Sequence, residues 1–483
     1  MMIRNALKYV FVCFGLLFSM EISAQEKPNV LFIAIDDLND WSGCQQNFPN
    51  VQTPNIDRLA SSGILFNNAH CQAPLCGPSR ASIMTGLLPS TTGIYAMIDD
   101  DKIKECNETT NEVIFLPDYF EQFGYKTMGI GKLFHLGDKA KCFQEYGGVY
   151  EMFGPKPQKR FKYDPAWFGK PSGTSTDWGA YPVYDSLMPD DKYANWAIER
   201  LKQKHDQPFF LAVGFIRPHV PWYVPQKWFD LFSVDQMKTP PFDPDDMNDI
   251  SEFAKQVMDV PPMPTTEWAI ENNYWQEIVQ AYLACMAFTD YQVGRVLDAL
   301  ENSEYKNNTI IVLWSDHGYH LGEKNRFAKH SLWRRATHVP LIFAGPGIKV
   351  SQKSEIPAGL IDIYPTLAGL CKLPPNPKNE GVDLFSILHD PVKAAQKCVI
   401  TTYGFKNHSV YWDDWHYIHY KDGSEELYNL KNDSNEWENI ASKDEYSEIK
   451  LKMKQKLPEV NLSNVPQSSY NINEYFRENL NDL

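Results

Sequence analysis

The sequence of 483 residues is poor in positive charge. It contains 46 Lys and Arg against 61 Asp and Glu, which gives a net charge of −15. This balance argues against a nucleic-acid-binding protein, which needs a basic surface. It does not exclude an anionic ligand, because a local cluster of Lys, Arg and His can override the net charge.

Cysteine pairs at metal-binding spacing are also missing. The nine cysteines include no Cys-x-x-Cys pair, which argues against a zinc ribbon or a thioredoxin-like site. An oxidising compartment would allow one or two disulfides among the eight cysteines that follow Cys13, and the sequence leaves their pairing open.

Long apolar runs are absent except at the N-terminus. Residues 9–20 form an apolar stretch behind two basic residues, and Ile22-Ser23-Ala24 follows as a cleavage site. The pattern predicts a secretory signal peptide over residues 1–24, with an uncleaved membrane anchor as the alternative. We therefore expect a secreted or periplasmic protein with no membrane span after cleavage.

The rest of the chain has the composition of a globular protein, with 43% hydrophobic and 22% charged residues. Continuous apolar, β-branched runs predict buried strands at 29–35, 207–214, 309–315 and 340–345. Helices are predicted between them at 53–62, 191–204 and 275–300. This alternation predicts an α/β fold with a large, mostly parallel sheet sandwiched by helices.

The pattern changes near residue 397 to short aromatic segments that alternate with polar residues. They predict an antiparallel sheet followed by a helix near 444–456. We therefore expect a large N-terminal domain over residues 25–385 and a smaller α+β subdomain over 386–483. The Pro- and Asp-rich stretch 235–264 indicates a long surface loop or lid.

Acidic residues follow two of the predicted buried strands. Asp36 and Asp37 end the first, and Asp316 and His317 end the strand at 309–315. Ligands of open α/β sheets bind beyond the carboxyl ends of the strands. Carboxylates that converge there need a cation, and oxygen donors favour Ca²⁺ or Mg²⁺ over zinc. The alternative is that these residues are helix caps or solvated turns.

A short helix is predicted to begin within the sequence Cys76-Gly77-Pro78-Ser79-Arg80. Pro78 near its start and Gly86 after its last turn delimit it. Cys76 would then lie at a helix N-terminus, which favours anions. From these residues alone, Cys76 is either a reactive thiol or a disulfide partner of Cys71.

Cys76-x-Pro78-Ser79-Arg80, with Thr85-Gly86 downstream, resembles the signature of the type I sulfatases, which belong to the alkaline-phosphatase superfamily. The resemblance covers nearly the whole mature chain through the ordered segments KPNVLFIAIDD, GIGKLFH, SDHGYHLGE, ATHVPLIFAGPG and EELYNLKNDSNEWENIA. Within the family, the segments 131–135, 217–221 and 327–329 are most similar to iduronate-2-sulfatase and related bacterial polysaccharide sulfatases. Other sulfatases usually carry Asn where this chain has His317.

The resemblance implies a sulfuric ester hydrolase in which a formylglycine-generating maturation enzyme oxidises Cys76 to Cα-formylglycine. It implies a Ca²⁺ site, with Mg²⁺ as the alternative, formed by Asp36, Asp37, Cys76, Asp316 and His317. The remaining catalytic residues that it implies are Arg80, Lys132, His135, His219 and Lys329.

Their implied roles differ. Arg80 and Lys132 would anchor the formylglycine, and Lys329 would bind the sulfate. His219 or Lys329 would protonate the departing alcohol, and His135 would help to restore the aldehyde.

The substrate implied by the resemblance is a sulfated carbohydrate. A 2-O-sulfated uronate at a non-reducing end is the first expectation, with a cation for its carboxylate among Arg217, Lys324, Arg326, Arg334 and Arg335. Trp41, Trp222 and Tyr223 would either pack in the core or stack on sugar rings. The alternatives are a phosphodiesterase or phosphonate monoester hydrolase of the same superfamily, and a non-catalytic carbohydrate-binding relative.

Overall fold

A computed structural model describes residues 27–135, 142–149, 153–162, 175–260 and 263–468. The segment expected to be a signal peptide lies outside these residues. Across the described ranges, no helix is both long enough and apolar enough to cross a membrane.

The strands are short and mostly buried. They are β1 (Asn29–Ile35), β2 (Gly63–Phe66), β3 (Ala69–His70), β4 (Lys126–Gly131), β5 (Glu145–Tyr146), β6 (Trp178–Ala180), β7 (Phe209–Phe215), β8 (Trp222–Val224), β9 (Thr309–Ser315), β10 (His338–Val339), β11 (Leu341–Ala344), β12 (Gln352–Ser354), β13 (Ala358–Gly359), β14 (Val399–Thr402), β15 (His408–Trp412), β16 (Trp415–His419) and β17 (Glu425–Asn429).

The α-helices alternate with these strands. They are α1 (Pro54–Ser61), α2 (Cys76–Thr85), α3 (Pro89–Thr92), α4 (Glu108–Asn111), α5 (Leu116–Gln122), α6 (Pro189–Leu201), α7 (Gln226–Phe229), α8 (Glu252–Val257), α9 (Thr266–Glu271), α10 (Trp275–Glu301), α11 (Arg334–Thr337), α12 (Ile363–Leu370), α13 (Leu384–Leu388), α14 (Pro391–Gln396) and α15 (Ser447–Lys454). The four predicted buried strands and three predicted helices are all present, with ends shifted by a few residues.

An eight-stranded sheet organises the large part of the chain, in the order β12-β2-β11-β9-β1-β7-β4-β5. Its central strand β1 pairs in parallel with both β7 and β9. Strand β11 runs antiparallel to its neighbours β9 and β2, and the other pairings are parallel. The prediction of a mostly parallel sheet is therefore confirmed.

Helices cover both faces of this sheet, and β1 shows how the sequence permits it. Leu31, Ile33 and Ile35 pack into a core with residues of α6 and α10. Val30 and Phe32 point to the opposite face, where the core includes residues of α2, α5 and α12. A strand buried on both faces needs apolar residues at every position, which explains its unbroken apolar run.

The C-terminal sheet is antiparallel, as predicted, in the order β14-β15-β16-β17. On one face, Val410, Tyr417 and Leu427 form a small core with Met453 of α15. On the other face, Tyr420 and Tyr428 pack with residues of the stretch 235–260, including Met258 after α8. This stretch is largely a surface loop, as expected from its Pro and Asp content, but it also contains helix α8 and packs on the C-terminal sheet.

No disulfide forms among the described cysteines. Cys44, Cys71, Cys76, Cys106, Cys142, Cys285, Cys371 and Cys398 are all free thiols. The alternative prediction of a Cys71–Cys76 disulfide therefore does not hold in this structure.

Two glycines allow β4 and β7 to hold the backbone of Lys132. The Lys132 N–H donates to the carbonyl of Gly214 at 2.9 Å. A Cβ on Gly214 would lie 2.3 Å from the Lys132 carbonyl oxygen, and a Cβ on Gly131 would lie 2.2 Å from the Gly214 carbonyl oxygen. Gly131 also has a φ of 78°, which favours glycine.

We expect Gly214→Ala to lower the free energy of unfolding by about 1–3 kcal/mol in urea denaturation, because the added methyl group overpacks a closed backbone contact. It should also displace Lys132 and lower activity. Gly347→Ala is the control, since its Cβ meets nothing within 4 Å. The control carries only the strain of a φ of 80° and should keep its activity. Equal losses of activity in both variants would contradict the steric argument.

Candidate active site

Four polar residues meet at the carboxyl edge of the sheet because their strands are parallel neighbours. Ile35 of β1 lies opposite Ser315 of β9. Asp36 and Asp37 therefore emerge beside Asp316 and His317, and the Asp37 N–H donates to Asp316 Oδ1 at 3.1 Å. All four side chains are buried.

Helix α2 brings Cys76 to this edge as its first residue, and Gly86 ends it with a φ of 74°. Ser79 Oγ donates to the carbonyl of Asp316 at 2.5 Å, which fixes the first turn against the end of β9. Every residue of the helix is buried. The N-terminus of a buried helix is favourable for a negative charge.

The Cys76 sulfur is surrounded by cationic and imidazole groups. Lys329 Nζ lies 3.0 Å from Sγ, and His317 Nε2 lies 3.1 Å from it. Burial alone would raise the pKa of the thiol, but Lys132, Lys329 and His317 hold it well below its usual value. The position therefore stabilises negative charge on whatever group residue 76 carries.

Carboxylates and cations alternate around this sulfur. Lys132 Nζ lies 2.6 Å from Asp36 Oδ2, and Lys329 Nζ lies 2.7 Å from Asp37 Oδ1. Arg80 bridges the two strands, with Nη2 at 3.2 Å from Asp36 Oδ1 and Nε at 2.9 Å from Asp316 Oδ2. Burial would raise the pKa of Asp36, but Lys132 and the other cations lower it below its usual range.

Arg80 has a further structural contact. Its Nη1 donates to the carbonyl of Lys132 and, at 3.3 Å, to that of Leu133. The guanidinium therefore joins the ends of β1, β4 and β9.

Two overlapping groups of side chains could hold a metal ion. The first comprises Asp36, Asp37, Cys76 and His219, and the second comprises Asp36, Cys76, Asp316 and His317. Asp37 Oδ2 is buried and has no hydrogen-bond partner among the described residues. A buried carboxylate oxygen without a donor is a position that a hard cation would satisfy, so the donor set fits Ca²⁺ or Mg²⁺.

His317 is oriented by its own backbone neighbour. Nδ1 donates to the carbonyl of Gly318 at 3.0 Å, which leaves Nε2 facing Asp37 Oδ1 at 3.4 Å and Asp316 Oδ2 at 3.6 Å. Burial opposes a charge on the ring, but Asp316 raises the pKa of His317 to about 9. A bound cation would compete with the proton for the same Nε2 atom.

Asp316 and His135 have pKa values shifted toward their neutral forms. Burial raises the pKa of Asp316 to about 7, against the opposing effect of Arg80. Burial also lowers the pKa of His135.

His219 and Lys329 lie closest to solvent among the candidate side chains. The His219 side chain is 12% exposed and that of Lys329 is 7% exposed, whereas that of Lys132 is 1% exposed. His219 Nδ1 donates to the carbonyl of Val220 at 2.6 Å, and Nε2 lies 3.8 Å from Asp37 Oδ2. The structure thus brings together all ten residues proposed from the sequence.

Sequence reasoning missed two hydroxyl groups that hold the loop after β1. Tyr282 OH in α10 donates to the carbonyl of Asp37 at 2.8 Å and accepts from the Asn39 N–H at 2.9 Å. Ser315 Oγ accepts from the Leu38 N–H at 3.0 Å and donates to the carbonyl of His317. Tyr282 supports an Asp37 backbone with a φ of 61°, which is uncommon for a residue with a Cβ. Nothing in the apolar helical pattern around Tyr282 indicates this role.

The cations expected to bind a uronate carboxylate are largely engaged elsewhere. Arg217 donates to the carbonyls of Tyr223, His219 and Phe153 and is 1% exposed. Lys324 is buried against Asp246.

The other three cations of that set also have protein partners. Arg335 pairs with Asp40 and Glu323, and Arg334 Nη1 lies 3.7 Å from Asp40 Oδ2. Arg326 donates to the carbonyl of Met258 at 2.6 Å.

The aromatic side chains considered for sugar stacking belong to the core. Trp41 and Trp222 are 0% exposed and Tyr223 is 2% exposed. Trp41 stacks on Phe48 at a centroid distance of 3.7 Å. These rings therefore pack, and the alternative of sugar stacking does not apply to them.

Comparison with known proteins identifies the family of this chain. The Sulfatase family model matches residues 28–373. The chain belongs to the sulfatase family. A second model, described as N-sulphoglucosamine sulphohydrolase, C-terminal, matches residues 322–463. The enzyme is therefore a sulfuric ester hydrolase, and the resemblance to type I sulfatases is confirmed.

Relatives cover most of this sulfatase. A sulfatase from Formosa agariphila is 51% identical over 459 residues, which is 94% of this chain and 90% of the relative. Human iduronate 2-sulfatase is 31% identical over 398 residues, which is 74% of this chain and 71% of the relative.

Solved structures show the same fold. A structure described as a complex with its substrate D-glucosamine-2-N,6-O-disulfate aligns with a TM-score of 0.69 and 21% identity, over 89% of this chain and 96% of that chain. The phosphonate monoester hydrolase of Agrobacterium radiobacter aligns with the same TM-score and identity, over 89% of this chain and 94% of its own. The alkaline-phosphatase-like fold class is confirmed.

We expect Tyr282→Phe to lower the free energy of unfolding by about 1–3 kcal/mol, because it leaves the buried Asn39 N–H without an acceptor. Thermal unfolding followed by circular dichroism would measure this. Tyr291→Phe is the matched control on the same helix, since Tyr291 is 45% exposed. Equal stability of the two variants would show that the Tyr282 hydroxyl does not support the loop.

Proposed function

We propose that this sulfatase hydrolyses O-sulfate esters of a sulfated polysaccharide or of its oligosaccharides, by means of a formylglycine at position 76 and a divalent cation. The observation that carries the proposal is the position of Cys76 Sγ, which touches Lys329 and His317 at the edge of three buried carboxylates. A thiol alone does not need such surroundings, whereas a residue that receives a sulfuryl group does.

The formylglycine and the divalent cation would supply separate chemistry. A formylglycine, made by a maturation enzyme, would supply a hydrated aldehyde as the nucleophile. A Ca²⁺ or Mg²⁺ ion held by Asp36, Asp37, Asp316 and His317, with residue 76 beside it, would neutralise the sulfate oxygens and acidify the nucleophile.

The residues around position 76 are suited to move protons and to stabilise charge. Asp316 lies beside residue 76 and would be the acceptor of the proton that the attacking hydroxyl gives up. His135 has a lowered pKa, so it is neutral and available as the base for the second hydroxyl group. Lys132 and Arg80 would hold residue 76 in place and stabilise the negative charge beside it.

The departing alcohol needs an acid on the solvent side of the site. His219 and Lys329 satisfy this requirement because their side chains are the ones that reach solvent. Since Nδ1 of His219 already donates to Val220, Nε2 would carry the proton that is transferred. Lys329 would also contact the sulfate as a point charge.

The first substrate that we propose is a 2-O-sulfated uronate at or near a non-reducing end, from which an exo-acting enzyme would remove the sulfate. The similarity to human iduronate 2-sulfatase supports it, and so does the depth at which Cys76 lies, because a buried nucleophile favours a chain end over an internal sugar. The basic, apolar and small-residue pattern of residues 1–24 supports export to the periplasm or the medium.

Conversion of Cys76 is open to direct measurement. The tryptic peptide Leu59–Arg80 from active enzyme should carry one aldehyde, detected by its mass and by hydrazide capture. The same peptide contains Cys71, which should remain a thiol and serves as the internal control. Cys76→Ala should abolish turnover while the protein stays folded. A fully active enzyme with an unmodified Cys76 would refute the mechanism.

Metal dependence distinguishes the proposed chemistry from its alternatives. Chelated enzyme should lose sulfate release and recover it with Ca²⁺ or Mg²⁺, and Asp37→Asn should lower bound metal by elemental analysis because it removes one charge from the site. Asp298→Asn is a surface control outside this cluster, since its side chain is 62% exposed. Sulfate release should exceed phosphate release on matched chromogenic esters. The opposite ratio would favour the phosphonate monoester hydrolase alternative, and no release of either would favour a non-catalytic relative.

The substrate class can be determined by measuring sulfate release from a panel of ulvan, carrageenan, heparan and dermatan oligosaccharides. We expect the fastest sulfate release from chains that end in a 2-O-sulfated uronate, measured by ion chromatography. Blocking the non-reducing end should stop the reaction. Preferred release from chain interiors, or from sugars without a carboxylate, would overturn the exo-uronate proposal and leave the sulfatase assignment intact.

A further inference from the structure

His219 lies in the connection between β7 and β8, residues 216–221, which we call the His219 loop. Its ring is fixed by one hydrogen bond to its own loop, from Nδ1 to the carbonyl of Val220 at 2.6 Å. On the other side of the ring, Nε2 lies 3.8 Å from Asp37 Oδ2. The direction of Nε2 therefore depends on where the backbone of the His219 loop is held.

The Arg217 side chain holds that backbone from inside the loop. Its Nη1 donates to the carbonyl of His219 at 2.8 Å, and its Nε donates to the carbonyl of Tyr223 at 3.2 Å. Its Nη2 donates to the carbonyl of Phe153 at 2.7 Å, and the Phe153 ring lies 5.3 Å from the His219 ring. The His219 loop therefore folds around one guanidinium, whose planar set of donors fixes the directions of its acceptors.

Two helices hold the backbone of Arg217 itself. Asp190 Oδ1 in α6 accepts from the N–H of Ile216 at 2.6 Å and from that of Arg217 at 3.2 Å. Thr289 Oγ1 in α10 donates to the carbonyl of Arg217 at 2.9 Å. Asp190 is 0% exposed and Thr289 is 2% exposed, so neither contact faces solvent. The guanidinium therefore extends from a fixed backbone.

Stability does not require an arginine at this position. All three acceptors of the guanidinium are backbone carbonyls, and the residue is 1% exposed. A buried charge is costly, and a well-packed apolar side chain in its place is often as stable or more stable. What an apolar side chain does not provide is the hydrogen bonds that hold the backbone of the His219 loop.

We propose that Arg217 is a positioning residue for His219. It holds the ring with Nε2 toward the departing alcohol, so that the proton on Nε2 passes to the alcohol oxygen as the bond between that oxygen and sulfur breaks. This inference rests on the proposed function and specifies what keeps one of its two candidate acids in place. Arg217 does not contact the substrate, because its side chain is closed off by the loop that it holds.

The test uses aryl sulfates whose leaving groups differ in basicity: para-nitrophenyl, phenyl and para-methoxyphenyl sulfate. A more basic phenolate has a greater need for a proton from the enzyme. In Arg217→Gln, we expect kcat/KM to fall roughly tenfold or more on para-methoxyphenyl sulfate and less than about threefold on para-nitrophenyl sulfate. His219→Gln should show the same dependence on the leaving group, since it removes the acid itself.

A double variant tests whether Arg217 acts through His219. Arg217→Gln/His219→Gln should lose no more activity on para-methoxyphenyl sulfate than His219→Gln alone, because a misplaced residue that is already absent has no further effect. Arg217→Lys keeps the charge but replaces the planar fork with one ammonium group, so it should recover only part of the loss.

Two further variants complete the design. Thr289→Val removes the hydroxyl that holds the Arg217 carbonyl, and it should give the same leaving-group dependence in a weaker form even if Arg217→Gln folds poorly. Arg295→Gln is the matched control, because Arg295 joins α10 to Asp191 of α6 at 2.8 Å without contacting the His219 loop. It should leave the ratio of the activities on the three esters unchanged.

The outcomes separate this inference from the proposed function. A wild-type enzyme that releases sulfate from none of the esters or polysaccharides would overturn the proposed function. An active sulfatase in which Arg217→Gln and Thr289→Val leave the ratio of the three activities unchanged would overturn the role of Arg217 alone. Additive losses in the double variant, full recovery in Arg217→Lys, or the same change of ratio in Arg295→Gln would also overturn it.

Discussion

The burial of three carboxylates at one edge of the sheet is the constraint on which the site depends. Asp36, Asp37 and Asp316 are all 0% exposed, and unpaired charges at such depth would be very costly. Arg80 and two lysines lie against them within hydrogen-bond distance. The parallel pairing of β1 with β9 creates the carboxylate cluster. Helix α2, the end of β4 and the loop that carries Lys329 supply the compensating cations.

The C-terminal sheet contributes to this geometry although it supplies none of the candidate catalytic residues. Lys329 lies between Lys324 and Trp333, and both ends of this stretch are attached to the C-terminal part of the chain. Lys324 donates to the carbonyl of Glu436, and Trp333 Nε1 donates to Glu426 at 2.9 Å. The second sheet therefore helps to hold the loop that places Lys329 beside residue 76.

A buried site and an acidic surface together limit which substrates the enzyme can take. Cys76 is buried, so a substrate can present only a small group to this residue. Three cations near the motifs, Arg217, Lys324 and Arg335, are already engaged by protein groups.

The sequence alone determined the central strands and the candidate site residues. Strand β1 was predictable because burial on both faces demands an unbroken apolar run, and Cys76, Arg80 and Asp316 lie in ordered motifs. Only the tertiary structure decided the support by Tyr282, the engagement of Arg217 and the packing of 235–260 on the C-terminal sheet. Tyr282 and Asp37 are 245 residues apart. Local sequence patterns predict which face of an element is buried. They do not predict which residue from a distant part of the sequence packs beside it.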